Sequence, residues 1–381
     1  MRLFFLFSLL LLHTVSQGQN NPDYKKAFWV VRDAVTSPEE IDNIIQTAIK
    51  FEINDIFVQV RALGRVYYES DLEIRSQVIK DGFDPLKMII DRAHKYNIRI
   101  HAWVNMFYIW SGQDLPREKD HIYHRNRGDI LRNCSFPSYT DLRANGIEGY
   151  FLDPQSKEVQ KYLLNLLQEI ADKYNVTGIH LDYFRYPGVT YSFTPESRTN
   201  FRLVHFYDPL QLYCSAQEYV QTRGHAVYRY ADRVYRKVLI TALSDYLANI
   251  SAQLHALKPD LELSVAVKPD AVVAKHRYFQ DWLTWIKSDI CDFVVIMNYK
   301  TDWDEYMTVI NQVQDQKISK KIMVGVSLFN QEARAAIERL EAIRVNDFAG
   351  WALFSYNYLI KNKDYLESMK MYFMSGGQNG S

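Results

Sequence analysis

Eight short apolar runs recur along this chain, each followed by a stretch with helical spacing, and that alternation limits the folds open to it. The runs fall at 28–33, 55–61, 98–105, 178–183, 262–268, 292–299, 321–327 and 350–356. Most are near-continuously apolar, as strands of a parallel sheet covered on both faces must be. Helical patterns lie between them, at 38–51, 85–96, 155–174 and 226–257, and shorter ones near 280–287, 303–316, 331–344 and 359–372. Thr36-Ser37 before Pro38, and Asp84 before Pro85, are helix-start signals: a capping oxygen, then a proline whose missing N–H costs nothing in the first turn. Eight β-then-α units without a break in composition predict one α/β domain, a single (β/α)8 TIM barrel. The alternative is an open doubly wound sheet, which seldom needs so many evenly spaced parallel strands. Two connections, 106–153 after the third strand and 184–225 after the fourth, are long, and loops of that length in a compact domain are usually functional.

The termini and the cysteines add context. Met1-Arg2, an apolar run over 3–12 and a small, polar exit over 14–19 have the form of a secretory signal peptide, expected to cover residues 1–18. The barrel is then expected over 19–373, with a disordered tail at 374–381. No later run is long and apolar enough for an integral membrane segment. Formal net charge is zero and no basic stripe occurs, which argues against a nucleic-acid partner. Cys291 opens an apolar run and reads as a buried thiol, while Cys134 and Cys214 fall in the two long connections and are able to pair. Spacing leaves that pairing open. The histidines are scattered and Cys-x-x-Cys is absent, so neither a metal nor another cofactor is expected.

In barrels of this kind the chemistry sits at the C-terminal strand ends. Those ends are polar here: Arg32-Asp33, Gln59 and Arg61, His101 to Asn105, His180 and Asp182, Lys268, Asn298-Tyr299, Ser327, and Ser355-Tyr356. The fourth strand alternates so that Gly178, His180 and Asp182 share a face. A buried strand seldom points His and Asp inward unless they are paired or working, although Asp182 is also placed to cap a helix or pair with Arg185. Both long loops are rich in aromatic rings: Tyr108, Trp110, Phe136, Tyr139, Tyr150 and Phe151, then Phe184, Tyr186, Tyr191, Phe193, Phe201, Phe206, Tyr207 and Tyr213. Flat rings suit the C–H faces of sugars, and about a third of these are expected to touch ligand while the rest pack the loops down.

Several segments together resemble the glycosyl hydrolase-like 10 family. They are Gln59-Val60-Arg61, Tyr67 to Asp71, Asp84-Pro85-Leu86, Ala93-His94, His101-Ala102-Trp103-Val104-Asn105, Leu152-Asp153-Pro154, Gly178 to Pro187, Asp281-Trp282 and Gly350 to Ser355. They run in family order over about 27–360. The resemblance implies an exported (β/α)8 protein that acts on or binds envelope polysaccharide, with peptidoglycan glycan strands as the leading substrate class. It also implies that Asp182 lies at the centre of the site. The chain departs from the family at the fifth strand, which ends Val267-Lys268-Pro269-Asp270, and at the sixth, which ends Met297-Asn298-Tyr299.

Glycoside hydrolysis normally needs one protonated and one ionised carboxyl group. Asp182 fits the ionised role, with Arg61, Arg185 or Lys268 as the charge that would hold its pKa down. Candidates for the acid are Asp302, Asp270 and Asp33, each with a structural alternative as helix cap, turn residue or ion-pair partner. Substrate contacts are expected from Arg61, His101, Trp103, Asn105, His180, Tyr183, Arg185, Lys268, Asn298, Tyr299 and Tyr356. His180 is expected to orient Asp182, and His101 to be a satisfied inward-facing residue rather than a metal ligand. The rival to a glycosidase is a non-catalytic barrel that docks on cell-wall glycan. N-terminal sequencing of exported protein is expected to begin near Gln19, and mature protein that keeps Met1 would refute the processing site.

Overall fold

The computed structural model describes residues 24–375. Eight parallel strands close on themselves: β1 Lys25–Val30, β2 Asp55–Ala62, β3 Arg99–Asn105, β4 Gly178–Asp182, β5 Glu262–Val267, β6 Phe293–Met297, β7 Ile322–Ser327 and β8 Gly350–Phe354. Each pairs with its sequence neighbours, and β1 pairs with both β8 and β2, so the sheet is a closed barrel. The expected (β/α)8 architecture is what the chain adopts. Amphipathic helices pack outside it, and the helix Pro38–Lys50 shows how. Ser37 accepts the Glu40 N–H, Pro38 occupies the first turn, and Ile41, Ile44, Ile45 and Ala48 line one buried face.

The first strand begins three residues earlier than the apolar run suggested and ends at Val30, with Arg32–Ala34 forming a 3-10 turn. Lys25 belongs to the strand because its ammonium is neutralised inside the barrel, bonding both Glu262 carboxylate oxygens at 2.9 Å. The last helix runs Lys363–Met374, one residue into the segment assigned to the tail. The signal peptide at 1–18 and the end of the tail, 376–381, lie outside the described residues.

The barrel interior is filled in layers. At the N-terminal end Asp55 accepts from Arg99 at 2.6 Å and shares a 2.8 Å hydrogen bond with His101. Burial alone would raise the Asp55 carboxyl, but His101, Arg99 and Lys25 together leave it below its usual range. The middle layer holds Trp29, Phe57, His180, Ser264 and Val295, all buried. Gly325 makes room here, since a Cβ would lie 2.9 Å from the Trp29 ring. The top layer carries Gln59, Trp103, Asn105 and Asp182 at the C-terminal strand ends.

The two long connections are folded rather than irregular. The first forms a small hairpin, Tyr108–Trp110 with Tyr150–Phe151, plus the short helices Ile122–Arg125 and Tyr139–Ala144. The second holds the helices Pro195–His205, Pro209–Cys214 and Ala216–Arg223. A Cys134–Cys214 disulfide and an Arg132–Phe193 bridge join the two, and Cys291 is a buried free thiol.

Asp153, at the end of the first connection, is fully buried and joins it to the second. It accepts the Thr194 hydroxyl at 2.6 Å and the Gln155 N–H at 2.9 Å. With no cation in ion-pair reach among the described residues, burial pushes its carboxyl up to about 6 from 3.8. A folded-state pKa above the unfolded one means stability that is full below the unfolded value and lost as pH rises through the folded value. The size is about 3 kcal/mol for a rise of about two units. Urea melts of the wild type should therefore lose about that much stability, relative to Asp153→Asn, between about pH 4 and pH 7. Parallel pH dependence in the two proteins would remove Asp153 as the source.

Candidate active site

A cavity of about 420 Å³ opens at the C-terminal end of the barrel, and Asp182 lies in its wall. The Asp182 carboxylate accepts the Trp103 indole N–H at 3.2 Å on one oxygen and its neighbour's backbone N–H, from Tyr183, at 2.6 Å on the other. That second bond accompanies a left-handed backbone at Tyr183, φ 50°, which costs an L-residue about 1–3 kcal/mol. The turn also stacks the Tyr183 ring on Tyr108, with centroids 4.4 Å apart. Burial raises the Asp182 carboxyl above its ordinary value, and the Tyr183 N–H, Arg185, the Trp103 indole and Lys268 only partly oppose it.

A second carboxylate lines the same cavity, and it is Glu148, from the loop after β3. Arg185, from the loop after β4, donates to it at 2.6 Å. Arg185 is 3% exposed and is packed over the rings of Phe151, Tyr183 and Tyr278. Its Nη1 has no hydrogen-bond partner, which leaves a donor for a ligand oxygen. Burial acts to raise Glu148, but the Arg185 charge, a backbone N–H, the Arg185 hydrogen bond and the Lys268 charge together hold the carboxyl below its usual range. Burial and the nearby Arg185 charge also lower the Lys268 ammonium, another cavity residue. Arg32 completes a polar chain, donating to Gln59 at 2.8 Å, and Gln59 donates to Asn105 at 3.4 Å.

Of the residues expected to act in catalysis or to contact substrate, Trp103, Asn105, Asp182, Tyr183, Arg185, Lys268 and Tyr299 line the cavity together. The others do not. Arg61 is consumed by a fully buried, two-point ion pair with Glu73, at 2.6 and 2.8 Å, and donates to the Met106 and Asn105 carbonyls. It braces the chain beneath the site. His101 lies in the charged layer at the opposite end. His180 does not orient Asp182. Its Nε2 must accept, because the Trp29 indole 3.2 Å away can only donate, so Nδ1 carries the proton and donates to Ser264 Oγ at 2.9 Å. Burial drives the His180 pKa far down, so the ring is neutral and acts as a prop for Trp29. Asn298 is buried and donates to the Tyr306 carbonyl, and Tyr356 packs on Phe28.

The three acid candidates are occupied elsewhere. Asp270 and Asp302 cap helices, accepting the N–H groups of Val273 and Glu305 at 2.9 Å, and Asp33 accepts from Asn357 at 2.7 Å. None lines the cavity. Of the loop aromatics, only Tyr108 does; most of the others pack the loops onto each other and onto the barrel, as Phe193 does on Tyr235. Sequence reading missed Glu148, Trp29, Phe329 and Phe354. The one signal for Glu148 was a carboxylate inside the aromatic loop without a cap position.

A closed parallel barrel with two carboxylates and aromatic walls at its C-terminal mouth is the architecture of a barrel glycosidase. The chain belongs to the glycosyl hydrolase-like 10 family, whose pattern it matches over residues 23–346. It is 28% identical over 159 residues to the glycosyl hydrolase DigH of Escherichia coli K12, covering 39% of this chain and 33% of DigH. The glycosyl hydrolase YngK of Bacillus subtilis is 24% identical over 157 residues, covering 39% of this chain and 28% of YngK. The matched stretch thus spans a third or less of these relatives. Among solved structures, the glycoside hydrolase domain of PgaB (BpsB) from Bordetella bronchiseptica superposes with a TM-score of 0.67 at 13% identity, covering 91% of this chain and 98% of that domain. At that identity the likeness is one of fold.

Arg185→Gln removes the charge that offsets Glu148's burial. The Glu148 carboxyl, followed by carbon-13 NMR, should then titrate at higher pH than in the wild type. An unmoved Glu148 titration in a folded variant would show that Arg185 does not set it.

Proposed function

We propose that the protein is exported and hydrolyses envelope polysaccharide, with glycan strands of the peptidoglycan type as substrate. Asp182 is the general acid and Glu148 the base or nucleophile. One observation carries this: two carboxyl groups line one cavity and their surroundings push them apart, burial raising Asp182 while Arg185 lowers Glu148. Divergent environments are how two similar groups take up acid and base roles. This reverses the ionised role expected for Asp182, because burial outweighs the nearby charges of Arg185 and Lys268, and Arg61 is spent on Glu73.

In this reading Asp182 protonates the glycosidic oxygen as the bond to the leaving sugar breaks. Glu148, kept ionised, attacks the anomeric carbon or takes the proton of the attacking water. The unpartnered Arg185 Nη1 and the Asn105 amide offer hydrogen bonds to sugar oxygens, and Trp29, Tyr108 and Tyr299 supply apolar walls. Export is supported by the signal-like segment and by the Cys134–Cys214 disulfide, a bond that persists in oxidising compartments.

The test is a pair of substitutions. Asp182→Asn and Glu148→Gln should each lower cleavage of natural glycan by several powers of ten with folding intact. Asp182→Asn should keep far more activity on a dinitrophenyl glycoside, whose leaving group needs no protonation. If Glu148→Gln is the variant so spared, the roles are exchanged, and full turnover by Asp182→Asn on glycan would end the mechanism. The wild-type pH profile should be bell-shaped, lost at low pH as Glu148 takes up a proton and at higher pH as Asp182 gives one up.

A further inference from the structure

The cavity has two aromatic walls. One is the Tyr108–Tyr183 stack beside Asp182 and Glu148, built from the loops after β3 and β4. The other is built from the ends of β6, β7 and β8. There Tyr299 stacks on Phe354 at 5.8 Å, and Phe329 stands edge-on to both, 6.0 and 6.1 Å away. In the order of strands around the barrel, β7 lies three strands from β4, so the second wall faces the first across the mouth.

Phe329 differs from the other rings of the cavity in being 50% exposed. It is nevertheless held in place. The Leu328 N–H donates to the Phe354 carbonyl at 2.8 Å, and the Asn330 amide donates to the Tyr299 carbonyl at 3.0 Å. The residues flanking the ring are therefore tied to the same two strand ends whose side chains it touches. A loose surface phenylalanine needs no such fixation, and a ring meant for the core would be covered. A flat, rigid, exposed ring continuous with a polar cavity has the form of a stacking platform, with little ordering left to be done on binding.

We infer that Phe329 is a binding platform for a sugar ring outside the carboxylate pair, so that the enzyme recognises an extended glycan rather than a single terminal sugar. The class of ligand rests on the glycosidase reading above; the platform itself rests on the fixation and exposure of the ring. A chain seated with one pyranose in the cavity carries its next rings out over the rim. There the C–H face of one of them covers the phenyl ring. Phe329 would then set chain-length preference without touching the reacting atoms.

The experiment uses the full chain and N-acetylglucosamine oligomers from dimer to hexamer, with binding followed by tryptophan fluorescence. Wild-type affinity should rise with length. Phe329→Ala should bind the hexamer about tenfold more weakly or worse while leaving the dimer within about twofold, and Phe329→Tyr should restore length dependence. An equal loss at every length, no loss at any, or no binding of any oligomer by the wild type would overturn the inference. Hydrolysis of the same oligomers is measured in parallel. Length-dependent binding without cleavage would support the platform and count against the glycosidase reading, so the two fail separately.

Discussion

The ion pair between Arg185 and Glu148 is the contact on which the site depends. Its two halves come from different long connections, and neither connection has a strand to hold it in register at that point. Arg185 is enclosed by three rings and is almost wholly buried, so its charge needs a counterion close by. Glu148 supplies it and is held at the cavity wall. The surrounding junction reinforces the pair. The Cys134–Cys214 bond, the Arg132–Phe193 bridge and the Thr194–Asp153 hydrogen bond tie the same two segments at other points. Loops with several independent ties can present a carboxylate with the precision that catalysis demands.

The barrel beneath gives the other half of the site its rigidity. Interior side chains stack from a charged layer of Lys25, Asp55, Arg99 and Glu262, through Phe57, His180 and Trp29, to Trp103 and Asp182 at the mouth. Each layer fixes the one above. His180 is pinned between Ser264 and Trp29, and Trp29 forms part of the cavity wall; Trp103 in turn directs its N–H at Asp182. The charged groups at the lower end satisfy one another, which is the condition for burying them. Polar residues pointing into the barrel thus divide, according to depth, into supports and groups that line the cavity.

Depth also explains the opposed behaviour of the two carboxyl groups. Asp182 ends a strand inside the sheet, where loss of water is the dominant influence and its donors only moderate it. Glu148 sits on a loop, keeps 39% of its side chain exposed, and meets a guanidinium directly. Lys268 is near both and carries the opposite signature, its ammonium lowered by burial and by Arg185. The cavity therefore concentrates charge in a setting where water competes weakly, which strengthens each interaction within it.

By itself the sequence determined the alternation of buried strands and amphipathic helices, and with it the closed barrel and the end at which the polar strand ends and the cavity lie. Periodicity is a local property, and for β2 to β8 it placed the strands to within a residue or two at their ends. It also placed Asp182, Trp103, Asn105 and Lys268, because a residue's position along a strand decides its height in the barrel. What tertiary structure decided was partnership. Arg61 stands one strand-end from the site but is turned to Glu73, Asp270 and Asp302 are drawn to free N–H groups at helix starts, and Tyr356 is drawn to the helical layer. Glu148 became the second carboxylate only because the folding of two long connections brought Arg185 to it across 37 residues of chain. Hydrophobic period is written in neighbouring residues; the pairing of charges is a contact between distant ones, and only the folded chain fixes it.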